Sequence, residues 1–319
     1  MITKKIKSKG DGLEIELAII EPSSNPIGIV QLVHGMSEHK ERYYDFMNYL
    51  AQNGYICAIH DHRGHGASVK DSSHLGFFYT EDSSVIVDDA YQVTEYLKER
   101  YPSLSISIFS HSMGTLVSRN YLKKYDHELE KIVLCGPPTE NKFAGFAVFL
   151  AKISSIFYDK YKPNKFLNSL SVGQYSKGYK RQVDWICANP DTVEAYDADP
   201  LCGFVFTTNG FINLFKLLKS AYNGKDWRPK NIALPIFLIA GEDDPVIQGK
   251  EKFKDLKRFL KSLGYKNIKN KLYKGMRHEI LNERDKEIIY QDVLEFLRSD
   301  TNKKKKFKNT HFLYGKRTR

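Results

Sequence analysis

The stretch that most constrains the fold of this chain is LSISIFSHSMGTLVSRNYL, residues 104–122. Its first part is short, apolar and β-branched, which is typical of a strand buried in a sheet. Its last part, from Met113 to Leu122, repeats apolar residues at helical spacing. The segment Ser110–Gly114, where the two parts meet, leaves room only for a sharp turn. The sequence therefore predicts a strand, a turn and a helix that meet at the hydroxyl of Ser112.

This context is what a nucleophile elbow requires: a serine on a strained strand-to-helix turn, flanked by small residues so that neighbouring backbones can approach. The usual pattern is GxSxG, and Ser110 stands here in place of the first glycine. An ordinary strand followed by a serine-capped helix would explain the same five residues. The rest of the chain must therefore supply chemical partners for Ser112.

Strands and helices alternate along most of the chain. This alternation predicts an α/β fold with a mostly parallel central sheet covered by helices on both faces. Right-handed crossovers then place the strand ends, and any site, along one edge. A chain of 319 residues with 41% hydrophobic content can bury such a core. We predict strands near 13–20, 27–33, 55–60, 104–109, 131–135, 235–240 and 270–273, and helices near 41–53, 83–100, 249–263 and 285–298.

Residues 139–229 interrupt this alternation with helical stretches rich in phenylalanine, joined by polar segments that contain proline. We interpret them as a helical cap, or lid, inserted between two parts of the α/β core, residues 1–138 and 230–300. A second core packed for its own sake would explain the same residues. The two interpretations are compatible, because a lid over an apolar ligand is apolar inside.

The net charge of +11 is unevenly distributed. Residues 301–319 carry eight lysines and arginines and no acidic residue, which leaves 41 basic and 38 acidic residues in the rest of the chain. We predict a basic, flexible C-terminal tail that allows a weak contact with an anionic membrane surface, and we expect no specific nucleic-acid partner. A solvated tail without any partner is the alternative.

The start of the sequence, MITKKIKSKGDG, has no apolar segment of the kind found in signal peptides, and no run reaches the ~20 apolar residues that cross a bilayer. The four cysteines show no CxxC spacing, which indicates buried, reduced thiols. These observations predict a soluble, cytoplasmic protein. The cysteines are Cys57, Cys135, Cys187 and Cys202.

A serine hydroxyl is a poor nucleophile at neutral pH and needs a base that is itself oriented by an acid. In this topology the chain order is serine, acid, histidine. Only His278 and His311 lie beyond a plausible acid, and His311 falls in the basic tail. His278 is therefore the predicted general base.

The acid should follow the strand that precedes His278, where Glu242, Asp243 and Asp244 are all available. Pro245 biases the residue before it toward extended backbone. We favour Asp244 as the acid, with Asp243 as the next candidate.

The developing oxyanion needs two preorganised N–H donors. One is expected from the residue after the nucleophile, Met113, and the other from the loop after the early strand. The sequence His34-Gly35-Met36 is placed for this role, so the backbone N–H of Met36 is the predicted second donor.

The segment HDHRGH, residues 60–65, is similar to the dinuclear zinc pattern HxHxDH, but Gly64 stands at the aspartate position. No other cluster supplies the three or four ligands that zinc needs, so we predict neither a metal site nor a cofactor. We expect this loop to be structural and to lie beside the oxyanion loop. His111, next to Ser112 on a tight turn, is expected to be packed and not to act as the base.

With these residues assembled, the chain resembles the α/β-hydrolase superfamily, and more narrowly the monoacylglycerol lipase and lysophospholipase group, which is classified with the serine aminopeptidases of S33 type. The resemblance implies a catalytic triad of Ser112, Asp244 and His278, with the Met36 and Met113 amides as oxyanion donors. The matching segments are VHGMSEHKERY (33–43), HDHRGHGAS (60–68), SHSMGT (110–115), GEDDPV (241–246) and GMRHEILNE (275–283).

These observations predict a serine carboxyl-ester hydrolase acting on a monoacyl lipid, such as a monoacylglycerol or lysophospholipid, or on a similar acyl ester. An aminopeptidase or amidase of the same fold is one alternative, in which Glu194, Asp197 and Asp199 of the cap hold a substrate amine. A catalytically silent fold that binds anionic partners through its tail is another. Epoxide hydrolase and dehalogenase chemistry is disfavoured, because the elbow carries a serine and not an aspartate.

Overall fold

The computed structural model describes residues 1–299 apart from Lys142 and Asp226. The predictions for the basic tail, residues 301–319, and for His311 lie outside the described residues. Within the described part of the chain, eight strands form one sheet. They are Ile2–Lys7 (β1), Glu14–Ile20 (β2), Gly28–Val33 (β3), Tyr55–His60 (β4), Ile106–His111 (β5), Leu129–Cys135 (β6), Pro235–Gly241 (β7) and Asn267–Tyr273 (β8).

The sheet has the order β1-β2-β4-β3-β5-β6-β7-β8. The pairs β1/β2 and β2/β4 are antiparallel, and every other neighbouring pair is parallel. Parallel strands from β4 to β8 end at one edge, which is where the candidate site residues follow their strands. The predicted fold class, a mostly parallel sheet of the α/β-hydrolase type, is confirmed.

Helices cover both faces of the sheet. Side chains of α2, α3, α7 and α8 pack in the hydrophobic core on one face, and those of α1 and α9 pack on the other. A sheet buried on both faces explains why its central strands are almost continuously apolar. In the described residues the α-helices are Tyr44–Gln52 (α1), Ser84–Arg100 (α2), Met113–Tyr125 (α3), Ala144–Ser154 (α4), Lys165–Leu170 (α5), Pro190–Ala198 (α6), Thr208–Ala221 (α7), Lys250–Ser262 (α8) and Lys286–Arg298 (α9).

The two edge strands are where the structure departs from the sequence-based prediction. Strand β1 was not predicted, and β8 begins at Asn267, three residues before its predicted start. Both strands alternate a few apolar residues with exposed polar ones, as edge strands commonly do. Such strands lack the continuous apolar run that identified the central strands.

Among the phenylalanines of residues 139–229, a later set is buried and an earlier set is exposed. Phe211 and Phe215 of α7, and Phe206 just before it, are buried in the same core as the sheet. The earlier group is exposed, because α4 turns its small residues toward the protein. Its members are Phe143, Phe146, Phe149 and Phe157. The division into core and inserted cap remains a prediction.

None of the helices in the described ranges is both long and apolar enough to cross a membrane. All four cysteines are buried and form no disulfide, as predicted for reduced thiols. Burial raises the pKa of the Cys57 and Cys135 thiols, so both stay protonated and unreactive at neutral pH.

Candidate active site

Ser112 lies at the junction of β5 and α3, in a backbone conformation that L-residues rarely adopt. Its φ is 50° and its ψ is −119°. Its N–H donates to the carbonyl oxygen of Cys135 on β6, at 2.9 Å, which fixes the turn against the neighbouring strand. The Ser112 side chain makes no cap hydrogen bond to α3. The hydroxyl is therefore not used as a helix cap, and strain of this kind is typical of functional turns.

The turn requires a glycine at position 114, two residues after Ser112, because the backbone of β3 lies very close to it. A Cβ at this position would lie 2.1 Å from the Val33 carbonyl oxygen at the end of β3. The first flank, Ser110, fits because its hydroxyl donates to the Val133 carbonyl oxygen at 3.2 Å. The serine that replaces the usual glycine is thus accommodated by a hydrogen bond to the next strand.

Asp244 and His278 meet at the same edge of the sheet, after β7 and β8. The Asp244 Oδ2 lies 2.9 Å from His278 Nδ1, and both residues are almost fully buried. The other carboxylate oxygen accepts the Val246 N–H at 2.8 Å, which holds the carboxylate in place. A proton on Nδ1 leaves Nε2 as the basic nitrogen. Asp243, the other candidate acid, is exposed.

The Nε2 atom of His278 is buried, and no described residue forms a hydrogen bond with it. His278 and Ser112 line the same cavity. No hydrogen bond joins their side chains within the described residues. An unpaired imidazole nitrogen beside a serine is what a general base requires, and such contacts often tighten only when substrate binds.

The two predicted oxyanion donors also border this cavity. Met36 follows β3, and Met113 is the first residue of α3. The first N–H groups of a helix have no partner inside the helix, so the Met113 amide is available to a ligand. Four of the five residues that the sequence nominated therefore line this cavity, and the fifth, Asp244, contacts His278.

The cavity has a volume of about 850 Å³ and is mostly apolar. Three of its polar lining groups, Glu38, His111 and Glu279, are linked by hydrogen bonds among themselves and to Arg42. Most of its apolar lining comes from the segment 144–218, and the pocket is large enough for a lipid-sized ligand. These apolar residues include Ala147, Leu150, Leu167, Val172, Val205, Leu214, Phe215 and Leu218.

The family model described as serine aminopeptidase, S33, matches residues 24–285. The chain belongs to this family. A monoacylglycerol lipase of Mycolicibacterium smegmatis is 25% identical over 286 residues, which cover 90% of this chain and 93% of that protein. The human monoglyceride lipase is 24% identical over 279 residues, which cover 86% of this chain and 82% of that protein.

Among solved structures, a thermostable carboxyl esterase from Bacillus coagulans, in complex with glycerol, is similar with a TM-score of 0.84 and 25% identity. The match covers 93% of this chain and 97% of that one. The resemblance drawn from the motifs is confirmed: this S33-family protein is an α/β hydrolase similar to monoacylglycerol lipases.

The S33-family site contains a buried ionic network that the sequence analysis did not predict. Arg42 donates to both carboxylate oxygens of Glu279, at 2.7 and 2.6 Å, and to Glu38 at 2.9 Å. The Tyr43 hydroxyl donates to Glu38 at 2.8 Å. Burial would raise the pKa of the Glu38 carboxyl, but His111, Arg42 and Tyr43 hold it well below its ordinary value. The only sequence signal was the i, i+4 spacing of Glu38 and Arg42.

His111 belongs to this network and is packed, as predicted. Hydrogen-bond acceptors lie beside both of its ring nitrogens. Its Nδ1 lies 3.3 Å from the Glu38 carboxylate, and its Nε2 lies 3.2 Å from the His278 carbonyl oxygen. A neutral imidazole has only one N–H, and both neighbours accept. Burial would lower the pKa of His111, but the hydrogen bond and charge of Glu38 outweigh it, so the pKa is raised.

Four other buried histidines of this S33-family protein have no carboxylate partner. His34, His60, His62 and His65 pack against one another, with ring centroids 4.4 to 6.0 Å apart for the contacting pairs. The His62 N–H donates to His34 Nε2 at 2.9 Å. This loop therefore braces the end of β3 beside Met36, which agrees with the predicted structural role.

The three acidic residues considered for binding a substrate amine do not line the cavity, as far as the described residues show. Glu194 and Asp197 are exposed. Asp199 accepts hydrogen bonds from His39 Nε2 and the Leu201 N–H, both at 2.8 Å. His39, Asp199 and Cys202 form the one set in the described ranges whose spacing could hold a metal ion. The hydrogen bond between His39 and Asp199 already explains why these two side chains lie together.

The loop that carries Met36 is tied to α6 and to the segment that follows it. The carbonyl oxygen of Ser37 accepts the Gly203 N–H at 2.9 Å and the Tyr196 hydroxyl at 3.0 Å. The Ser37 hydroxyl donates to the Phe204 carbonyl oxygen at 2.7 Å. Ser37 has a φ of 54°, so this loop is held in a strained conformation directly after Met36.

Proposed function

We propose that this protein is a serine carboxyl-ester hydrolase that acts on monoacyl lipids, such as monoacylglycerols or lysophospholipids. The observation that carries the proposal is the hydrogen-bonded pair of Asp244 and His278 beside the strained serine of the elbow. A strained, uncapped serine and an imidazole with one unpaired nitrogen are the parts of acyl-transfer chemistry.

In the proposed reaction, His278 Nε2 takes the hydroxyl proton of Ser112 as the oxygen attacks the ester carbonyl. Asp244 stabilises the imidazolium, and the protonated ring then gives its proton to the leaving alcohol. Water, activated by the same nitrogen, attacks the acyl-enzyme and releases the fatty acid. The Met36 and Met113 amides stabilise the oxyanion, and each such donor typically contributes about 3 kcal/mol.

The lining of the cavity supports the proposed substrate class. The apolar residues of the segment 144–218 would contact an acyl chain, and the linked polar groups Glu38 and Glu279 would contact a polar alcohol. The monoacylglycerol lipases to which the chain is similar support the same class. A single long acyl chain joined to a small polar alcohol matches this division.

Replacing Ser112 with alanine tests the proposal. We expect Ser112→Ala to lose turnover of p-nitrophenyl and monoacylglycerol esters by about 10⁶-fold and to lose fluorophosphonate labelling. Ser118→Ala is the matched control, because Ser118 is a buried serine of α3 outside the cavity lining. Undiminished ester turnover in Ser112→Ala, with both variants folded by circular dichroism, would contradict the proposal.

The family description names an aminopeptidase, so the same assay should include aminoacyl amides. We expect monoacyl esters to be turned over faster, because Glu194, Asp197 and Asp199 do not line the cavity. The two acidic residues that do line it, Glu38 and Glu279, are already paired with Arg42. Faster turnover of aminoacyl amides than of monoacyl esters, again lost in Ser112→Ala, would replace the lipid ester with an amide as the substrate.

A further inference from the structure

Two aromatic rings contact the imidazole of His278. The indole of Trp185 lies with its ring centroid 5.3 Å from that of the imidazole, and the two planes are tilted by 40°. The imidazole of His111 lies with its centroid 4.6 Å away. Trp185 is half-buried and lines the cavity together with His278 and Ser112. The proposed base is therefore in contact with an aromatic side chain that no step of the proposed reaction uses.

Hydrogen bonds tie the segment that carries the indole to the loop that carries the imidazole. The Glu279 N–H donates to the Ile186 carbonyl oxygen at 2.7 Å. The Arg277 guanidinium donates to the carbonyl oxygens of Asp184 at 2.5 Å and of Cys187 at 3.1 Å. The donors are the two residues that flank the base, and the acceptors lie on both sides of the indole. The two rings are therefore held in one position relative to each other.

The contact with the indole favours the protonated form of the imidazole. In the proposed reaction His278 becomes an imidazolium when it takes the Ser112 proton. The face of tryptophan is the strongest aromatic partner of a cation, and the contact is effective within about 6 Å of the ring centroid. His278 is buried, so little water competes for this contact. The indole therefore stabilises the charge that forms during the reaction more than it stabilises the neutral base.

The other titratable groups near the two rings act differently from the indole. Asp244 lies beside His278 Nδ1 and supports the imidazolium through its charge. Although burial opposes it, the neighbouring carboxylate raises the pKa of His111, and a protonated His111 would repel the imidazolium. Of the remaining groups, two stay protonated at neutral pH because burial raises their pKa, and two carboxylates are paired with Arg42. They are Tyr175 and Cys135, then Glu38 and Glu279.

We propose that Trp185 is a positioning residue for His278, which holds the imidazole in place and stabilises its protonated form through the face of the indole. The inference rests on the proposed hydrolase function, in which His278 is the base. A plain wall of the cavity would only keep water away from the imidazole and would thereby favour the neutral form. The two roles therefore have opposite effects on the protonation of His278, and this difference separates them.

Steady-state kinetics of Trp185→Leu, measured against pH, test the proposal. Leucine keeps an apolar wall and removes the aromatic face. We expect kcat for p-nitrophenyl esters to fall about tenfold, with a smaller change in KM. We also expect the acid limb of the profile of kcat/KM to move to lower pH, by about half a unit to one unit. The direction follows because an imidazolium without the indole loses its proton more readily.

Two further variants complete the comparison, with folding checked by circular dichroism. Trp185→Phe keeps a weaker aromatic face and should give a kcat between those of the parent and Trp185→Leu, and it tests the proposal even if the leucine variant does not fold. Trp227→Phe is the matched control, because Trp227 is buried in the core and does not line the cavity. Its kcat should stay within about twofold of the parent, and its acid limb should stay in place.

Trp227→Phe also leaves Trp185 as the only tryptophan of the chain. A protonated imidazole quenches the emission of an indole that it contacts. We expect the emission of this variant to fall as the pH is lowered from about 8 to about 5, and the change to disappear when His278→Gln is added. The measurement needs no turnover, so it tests the contact even where the proposed hydrolase function fails, which is decided separately by Ser112→Ala.

Four results would overturn the proposal. One is a parent-like kcat in Trp185→Leu. Another is an acid limb that stays in place or moves to higher pH in that variant, as expected for a plain wall. An emission of Trp185 that does not depend on pH would also overturn it, and so would a pH dependence that persists after His278→Gln.

Discussion

Two groups of buried histidines lie near the same edge of the sheet, and their environments give them opposite chemistry. His34, His60, His62 and His65 pack together without a carboxylate. Burial lowers the pKa of His60 to about 4 and those of His62 and His65 to about 3. His111 is equally buried, yet its pKa is raised because Glu38 lies beside it.

The difference shows that a carboxylate acceptor, and not the depth of burial, decides the direction in which the pKa of a buried histidine shifts here. In the sequence, the HDHRGH segment is more typical of a reactive site than the isolated His111 and His278 are. In the described residues, its rings nevertheless form no hydrogen bond with a carboxylate, whereas His278 Nδ1 lies 2.9 Å from Asp244 Oδ2. Histidines that could act in proton transfer are therefore identified by contacts formed across the fold.

Removing the acceptor of His278 is expected to have the largest effect. Asp244→Asn keeps an oxygen for the Val246 N–H but replaces the anion that orients His278 Nδ1. We expect kcat for ester hydrolysis to fall about 10,000-fold with little change in KM. Asp243→Asn, at the exposed neighbouring aspartate, should stay within twofold of the parent in steady-state assays. A normal kcat in Asp244→Asn would remove Asp244 from the proposed mechanism.

Removing the carboxylate beside His111 should leave His111 buried without an anionic acceptor, as His60, His62 and His65 are. Glu38→Gln leaves the buried Arg42 with one carboxylate partner and deprives His111 of its anion. We expect a loss of about 3 to 5 kcal/mol in the free energy of unfolding, measured by urea denaturation at pH 7. Glu41→Gln, on the same turn but exposed, should change it by less than about 0.5 kcal/mol. Equal stability of the two variants would show that the network is not stabilising.

Removing a histidine of the first group should change the pH dependence of stability. The unfolded state binds the His60 proton below about pH 6.5, and the folded state binds it only below about pH 4. The unfolded state is therefore favoured as the pH falls through this window, and His60 alone accounts for a loss of about 3 kcal/mol. We expect His60→Leu to flatten the fall of the urea midpoint between pH 6.5 and 4.

His127→Gln provides the comparison for that measurement, because His127 is a partly exposed surface histidine. This variant should keep the acid sensitivity of the parent. If His60→Leu loses stability with acid as steeply as His127→Gln does, then His60 is not among the groups that make the fold acid-sensitive.

The sequence predicted the parts of the fold that local patterns determine. The central strands were identified by continuous apolar runs, and the turn at Ser112 by its small neighbours. The positions of Asp244 and His278 came from chain order in the motif, and the structure brings them within 2.9 Å of each other. Their catalytic roles, with those of Ser112, Met36 and Met113, remain predictions for the variants described above.

The features that the sequence did not predict depend on long-range contacts or on the direction of a helix face. Arg42 and Glu279 are 237 positions apart, and no local pattern pairs them. Strand β1 consists largely of exposed polar residues and forms only because β2 offers an unpaired edge. Composition showed that residues 143–157 are rich in phenylalanine, but only the packing of α4 on α7 reveals that these rings face outward.

The hydrogen bonds of Ser37 have a mechanical consequence. Gly203 and Tyr196 hold the residue that directly follows Met36, so any outward swing of that segment pulls on the loop that supplies the proposed amide donor. The segment 196–204 thereby sets the position of the proposed Met36 donor, so a substitution that loosens this segment should also weaken the stabilisation of an oxyanion.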